Sequence, residues 1–139
     1  MGWLNGSART ALLAGRPAHL TTINADGTPQ VSVVWVGLNG DDIVIGHLMG
    51  GQKVRNIARN PHVALTIEAN GSNDVGMTNY LAVYGRARLI EGGAPELLPR
   101  LALIYLGPNI RFPPMSDPPP GHVIAITPER VGGVGPWSS

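Results

Sequence analysis

Apolar and polar positions alternate along most of this chain, and the stretches that break the alternation are short. Residues 18–23 read as a strand closed by the turn Ala25-Asp26-Gly27. Residues 29–38 (PQVSVVWVGL) read as a longer strand, apolar on both faces and therefore expected to be covered on both. Asn39-Gly40 turns the chain into a strand at 43–45, and further strands are expected at 63–68, 80–91 and 122–127. Residues 130–134 are a candidate extension of the last one, and the polar, glycine-bearing stretch 69–79 reads as a loop.

Three stretches carry helical spacing instead. In 3–14 the apolar positions are Trp3, Leu4, Ala8, Ala11 and Leu12, with Gly15 as the stop. In 95–106, Pro95 opens the helix, and Leu97, Leu98, Leu101, Ile104 and Tyr105 form its apolar side. Between them, Gly50-Gly51 frees the backbone ahead of a short basic helix. There Val54, Ile57 and Ala58 share a face, Lys53, Arg55 and Arg59 lie toward solvent, and Asn60-Pro61 is the stop. Residues 107–121 hold six prolines and cannot be regular structure; this segment, with Asn109, Arg111, Phe112 and Met115, either shapes a pocket mouth or covers a barrel end.

Five or six strands on tight turns with few short helices predict a mainly β protein, an antiparallel sheet curled into a small barrel. At 139 residues the expectation is one domain, 1–139. Aromatic residues are scarce, so the core must be aliphatic. Strands apolar on both faces predict that a second subunit buries one barrel face, hence a homodimer.

Composition narrows the function. A net charge of +1 argues against a protein that wraps nucleic acid. The absence of cysteine removes disulfides, thiolate nucleophiles and thiolate metal sites. The N-terminal run lacks the apolar stretch of a signal peptide or membrane helix, so the expected setting is the cytoplasm, away from membranes. No nucleophile elbow or zinc motif is present, and the four histidines, at 19, 47, 62 and 122, are scattered. No metal site and no catalytic side chain is therefore expected, and any redox chemistry would come from a cofactor. The sharpest candidate is the start of the basic helix, whose free N–H groups and Lys53 would attract an anion such as phosphate. The bland alternative is a solvated helix face, since most helix N-termini bind only water.

The order of these segments is familiar. A strand ending in a DG turn (HLTTINADGTPQ) leads to an apolar strand (VSVVWV). A strand–basic helix–NP–strand unit (IVIGHLMGGQKVRNIARNPHVALTIE) and a Tyr-Gly-Arg strand (LAVYGRARLIE) follow. The succession resembles the pyridoxamine 5'-phosphate oxidase-like split-barrel family, whose fold is that of FMN-binding split barrels. Within it, the chain is most similar to the flavin/deazaflavin oxidoreductases of the B type.

That resemblance implies a homodimer with two cofactor sites at the interface, and an enzyme that uses coenzyme F420. Hydride would pass from the deazaflavin to a small organic acceptor such as an enone, quinone or activated alkene, with solvent as a proton source. It implies a ring-facing strand carrying Gln30, Ser32, Val34 and Trp35, with small-residue filling and core packing as the alternatives for Ser32 and Trp35. Gly46, His47 and Leu48 would lie near the ribityl chain or ring. Gln52 and Lys53 would hold the phosphate, and Asn56 would reach it or fix the helix to the neighbouring strand. Many relatives have an arginine just before the lysine, where this chain has Gly51-Gln52, so one positive charge is missing. Trp137 would approach the partner's cofactor or end free, and Met77 and Tyr80 would line the substrate pocket. FMN in place of F420, giving a flavin reductase or oxidase, is the first alternative. A non-catalytic protein holding a flavin, haem or other tetrapyrrole is the second, although a lone strand-end histidine such as His47 more often caps than ligates haem.

Overall fold

Side-chain alternation sets which way each strand faces. In the first strand Ala18, Leu20 and Thr22 are buried, while His19 between them is exposed. The computed structural model describes residues 3–137. Among these, seven strands form one sheet: β1 (Ala18–Ile23), β2 (Pro29–Val34), β3 (Gly37–Asn39), β4 (Asp42–His47), β5 (His62–Ser72), β6 (Thr78–Glu91) and β7 (His122–Val134). Every pairing is antiparallel, in the order β2-β1-β5-β6-β7-β4-β3.

The order explains the shape. β2 and β3 sit at opposite edges of the sheet, yet only Trp35 and Val36 join them. Three Cα steps span at most about 11 Å, so the edges must approach and the sheet must roll up. The result is a barrel split beside β2, the antiparallel split barrel expected. Its interior is aliphatic, led by Leu20, Ile43, Ile45, Leu65, Ile67, Leu81, Ile124 and Ile126.

Among the described residues three helices pack on the sheet: α1 (Gly6–Leu12), α2 (Gln52–Arg59) and α3 (Ala94–Tyr105). α1 packs on β3 and β5 near the start of β1, and α2 packs on β1 and β6 near its end. α3 covers the outer side of β4 and β7, where Leu97 and Leu101 meet Val44 and Ala125. The outer side of β2, β1, β5 and β6 has no helix over it. There Val31 and Val33 are 60% and 63% exposed, with Tyr80 and Tyr84 further along the same face. No helix among the described residues is long and apolar enough to cross a membrane.

Three expectations need correction. The long strand 29–38 is two strands, because the Val36 N–H leaves the ladder and donates to the Tyr105 hydroxyl at 3.1 Å. Within one chain the apolar outward face of β2 is bare, so the cover expected for it would have to come from a second subunit. The loop 69–79 shrinks, because β5 runs to Ser72 and the turn is tied by the Asn73 side chain, which accepts from the N–H groups of Val75 and Met77. The first helix begins at Gly6, where the Asn5 side chain caps it through the Ala8 N–H.

Trp137 is not a free end. It is 5% exposed and joins the core beside α1, and its Nε1 donates to the Tyr80 carbonyl at 2.7 Å. Gly135, at φ +147°, makes the turn that brings it there. Asn5 donates to the Pro136 carbonyl while capping α1, so one side chain ties both chain ends together. Trp137→Ala is expected to cost about 3–5 kcal/mol by the usual penalty for deleting a buried tryptophan. Urea unfolding followed by far-ultraviolet circular dichroism measures it, and an unchanged midpoint would refute this placement.

Candidate functional site

The placement of α2 begins with a buried polar network. Asn56 is fully buried, and its Nδ2 donates to Thr22 Oγ1 at 3.0 Å and Asn24 Oδ1 at 2.9 Å. Its Oδ1 accepts from Gln52 Nε2 at 2.8 Å, and the Thr22 hydroxyl donates to Gln30 Oε1 at 3.0 Å. Arg59 donates to the Ile23 carbonyl from the last turn. Both Asn56 amide protons are spent, so it fixes the helix to β1 rather than reaching a ligand. Gln30 and Gln52 share in the same network and also border a shallow pocket beside Asn24 and Asp26. There the Thr28 side chain and backbone hold the Asp26 carboxyl below the usual range.

So anchored, α2 presents its first turn to the split in the barrel. Gly51 precedes it in extended conformation and supplies no side-chain cap, leaving the first N–H groups free for an incoming acceptor. Lys53 enters a cleft of about 240 Å³ beside Val33, Val34, Trp35, Gly46 and Phe112. Among the described residues it makes no hydrogen bond and no ion pair, and burial holds its ammonium below the ordinary lysine range. It is also the only lysine in the chain. A half-buried cation without an anion is costly, and a bound anion would relieve it.

The far wall of the cleft is aromatic. Trp35 stacks on Tyr105, with ring centroids 5.3 Å apart and planes 13° from parallel, and Phe112 meets it tilted at 5.0 Å. Burial raises the Tyr105 hydroxyl above its usual range, opposed in part by the bond from Val36. Trp35 therefore forms part of the cleft wall and is partly buried against Val44, Leu97, Leu101 and Ala125. Phe112 answers the question left by the proline-rich segment: it lines the cleft mouth. Tyr105 was legible only as part of a helix face.

Other expected residues divide. Gly46 lines the cleft with its backbone, but a Cβ there would meet Leu98 at 2.9 Å, so its smallness serves helix packing. Leu48 follows the strand in a bend against Gly121. Gln30, Ser32 and Val34 do share a face, opposite Thr22, Leu20 and Ala18, and it is the barrel interior. The Ser32 hydroxyl is buried there without a partner. His47 Nε2 is likewise buried and unpartnered, and a Cβ on Gly51 would stand 3.6 Å from it. Met77 and Tyr80 do not join the Lys53 cleft of their own chain. Tyr80 lies with His19 and Thr66 in a separate pocket of about 310 Å³ on the bare outer face. Among the described residues no group of three or more metal-ligating side chains of the His, Cys, Asp and Glu types comes together.

The fold recurs in known structures. No curated protein matches the chain. A solved structure of an F420 reductase aligns over 92% of this chain and 97% of its own, at 27% identity and a TM-score of 0.73. A conserved hypothetical protein from Mycobacterium tuberculosis aligns over 91% of this chain and 81% of its own, at 21% identity and TM-score 0.69. A heme binding protein from Mycobacterium smegmatis aligns over 93% of this chain and 52% of its own, at 24% identity and TM-score 0.66. At these lower identities the likeness concerns the fold. The family model for pyridoxamine 5'-phosphate oxidase matches residues 4–135, nearly the whole chain. The chain belongs to the pyridoxamine 5'-phosphate oxidase family.

Proposed function

We propose that this protein is a homodimeric, F420-dependent oxidoreductase that reduces a small planar organic acceptor. The observation that carries the reading is Lys53, half-buried and unpaired at the free start of α2. A phosphate placed there would meet an ammonium, unbonded helix N–H groups and the unpartnered His47 Nε2, so these residues fit the group. The likeness to an F420 reductase across almost the full length of both chains supports the deazaflavin over other cofactors.

Size supports the dimer. A cleft of about 240 Å³ is below the roughly 300–1,000 Å³ of pockets that enclose a drug-sized ligand. It has room for part of such a cofactor, and the remainder would extend past Val33 onto the bare face of β2 and β1. A partner subunit on that face would bury Val31 and Val33 and close the site, bringing its own Tyr80 and Met77 within reach of the acceptor. When bound, the reduced deazaflavin supplies a hydride to the acceptor, which takes its proton from solvent. The chain's own residues bind and orient: Lys53 and α2 fix the phosphate, and Trp35 and Phe112 give a planar acceptor an apolar wall. FMN is the second reading, because Lys53 recognises a phosphate whichever ring it carries. A setting in the cytoplasm goes with either cofactor.

Titrating FMN and F420 separately against the protein, by fluorescence, ranks the two cofactors. Lys53→Met is expected to weaken the preferred one by roughly 10- to 100-fold, the loss of one charge-assisted contact. The same variant should unfold no more easily than the parent, since the ammonium has no partner to lose. Unchanged affinity would remove the phosphate assignment. For the interface, Val33→Asp should shift micromolar protein from dimer to monomer in sedimentation and abolish cofactor binding. A parent protein that sediments only as a monomer would refute the shared site.

A further inference from the structure

His47 and His122 stand directly opposite each other at the ends of β4 and β7, both on the interior face of the barrel with Ile45 and Ile124. Each ring has one nitrogen, His47 Nε2 and His122 Nδ1, that is buried without a hydrogen-bond partner. Two adjacent imidazoles with open nitrogens are unusual in a barrel mouth that is otherwise aliphatic, because each unmet polar atom carries a desolvation cost. Neither is explained by packing alone.

Among the described residues, two basic groups act on His47. From α2 Lys53 faces it, and from β7 His122 does. On β6 Glu91 pairs across from His122 but is exposed. Glu96 and Arg100 of α3 lie on the outer side of the sheet with Val44 and Val123. The interior cluster is thus three basic groups with no buried carboxylate among them. Burial first, then Lys53 and His122, holds His47 below its ordinary value and keeps it neutral.

We propose that His47 and His122 act with Lys53 as one receptor for a phosphate-like group, and that the imidazole pair takes up a proton as the anion enters. This rests on the phosphate assignment above and adds His122 and a proton to it. The sign follows from linkage. Without an anion His47 is held neutral around pH 7; with one, a charged imidazolium is favoured, so affinity rises as pH falls through that range. In the empty protein the same depression of His47 works the other way. Its stability is full above about pH 6.5 and is lost as pH falls below that, because the unfolded chain binds the proton more readily.

Sulfate is the suitable probe, since unlike a phosphate monoester it does not titrate near neutral pH. It would be titrated into the full-length protein from about pH 6 to about pH 8, with the histidine ring protons followed by NMR. Both His47 and His122 resonances should move on binding, and affinity should weaken with rising pH by up to about tenfold per unit for each proton taken up. His122→Gln should flatten that slope while leaving a weaker site, whereas Lys53→Met should weaken binding at every pH. If His122→Gln fails to fold, binding heats of the parent protein in two buffers of different ionisation enthalpy still report the proton. A pH-independent sulfate affinity, or an unchanged slope in His122→Gln, overturns the proposal. A pH-linked sulfate site in a protein that binds neither F420 nor FMN would keep this inference and sink the cofactor reading. F420 binding without any proton uptake would do the reverse.

Discussion

The uncompensated charge of Lys53 is the constraint around which the candidate site is organised. A lysine can stay solvated by snorkelling, and most do. Here the cleft walls, Val33, Val34 and Trp35 on one side and Gly46 on the other, remove water from part of the side chain without supplying a carboxylate. The free N–H groups of α2 add partial positive charge at the same place. Arginine in the preceding position would have raised the charge further, but Gly51-Gln52 stands there instead. In the receptor we propose, His47 and His122 on the facing strands make up for it once an anion enters.

Such a site needs a rigid mount. α2 is eight residues long and would be marginal alone. It holds its position because Asn56 is locked to Thr22, Asn24 and Gln52, and because Arg59 reaches the Ile23 carbonyl. The split itself follows from topology: β2 and β3 are consecutive in the chain but lie at opposite edges of the sheet. The cleft is thus the seam where the rolled sheet fails to pair, and its open flank is the bare face that we assign to a second subunit.

Most of the frame was legible from local sequence. Asn39-Gly40 and Ala25-Asp26-Gly27 mark turns, and the alternation in β1, β6 and β7 marks strands, because turn chemistry and a period of two act over a few residues. What escaped depends on distant partners. The break at Trp35-Val36 is made by a hydroxyl 69 residues away, so an apolar run looked like one strand. Trp137 is buried by a carbonyl on β6 and by α1, neither of which leaves a trace near the C-terminus. His122 read as an isolated strand-end histidine, and only the register of β4 against β7 sets it opposite His47. Lys53 stood out in its motif, but its lack of a partner is a property of the folded protein alone.

That lack can be measured at a single atom. Because the chain has one lysine, isotope labelling gives one side-chain ammonium signal to follow by NMR as pH is raised, with and without F420. In the free protein Lys53 should lose its proton below the ordinary lysine range, and F420 should move that transition to higher pH as the phosphate takes up the charge. A Lys53 that titrates like an exposed lysine, or whose titration F420 leaves unchanged, would contradict the account.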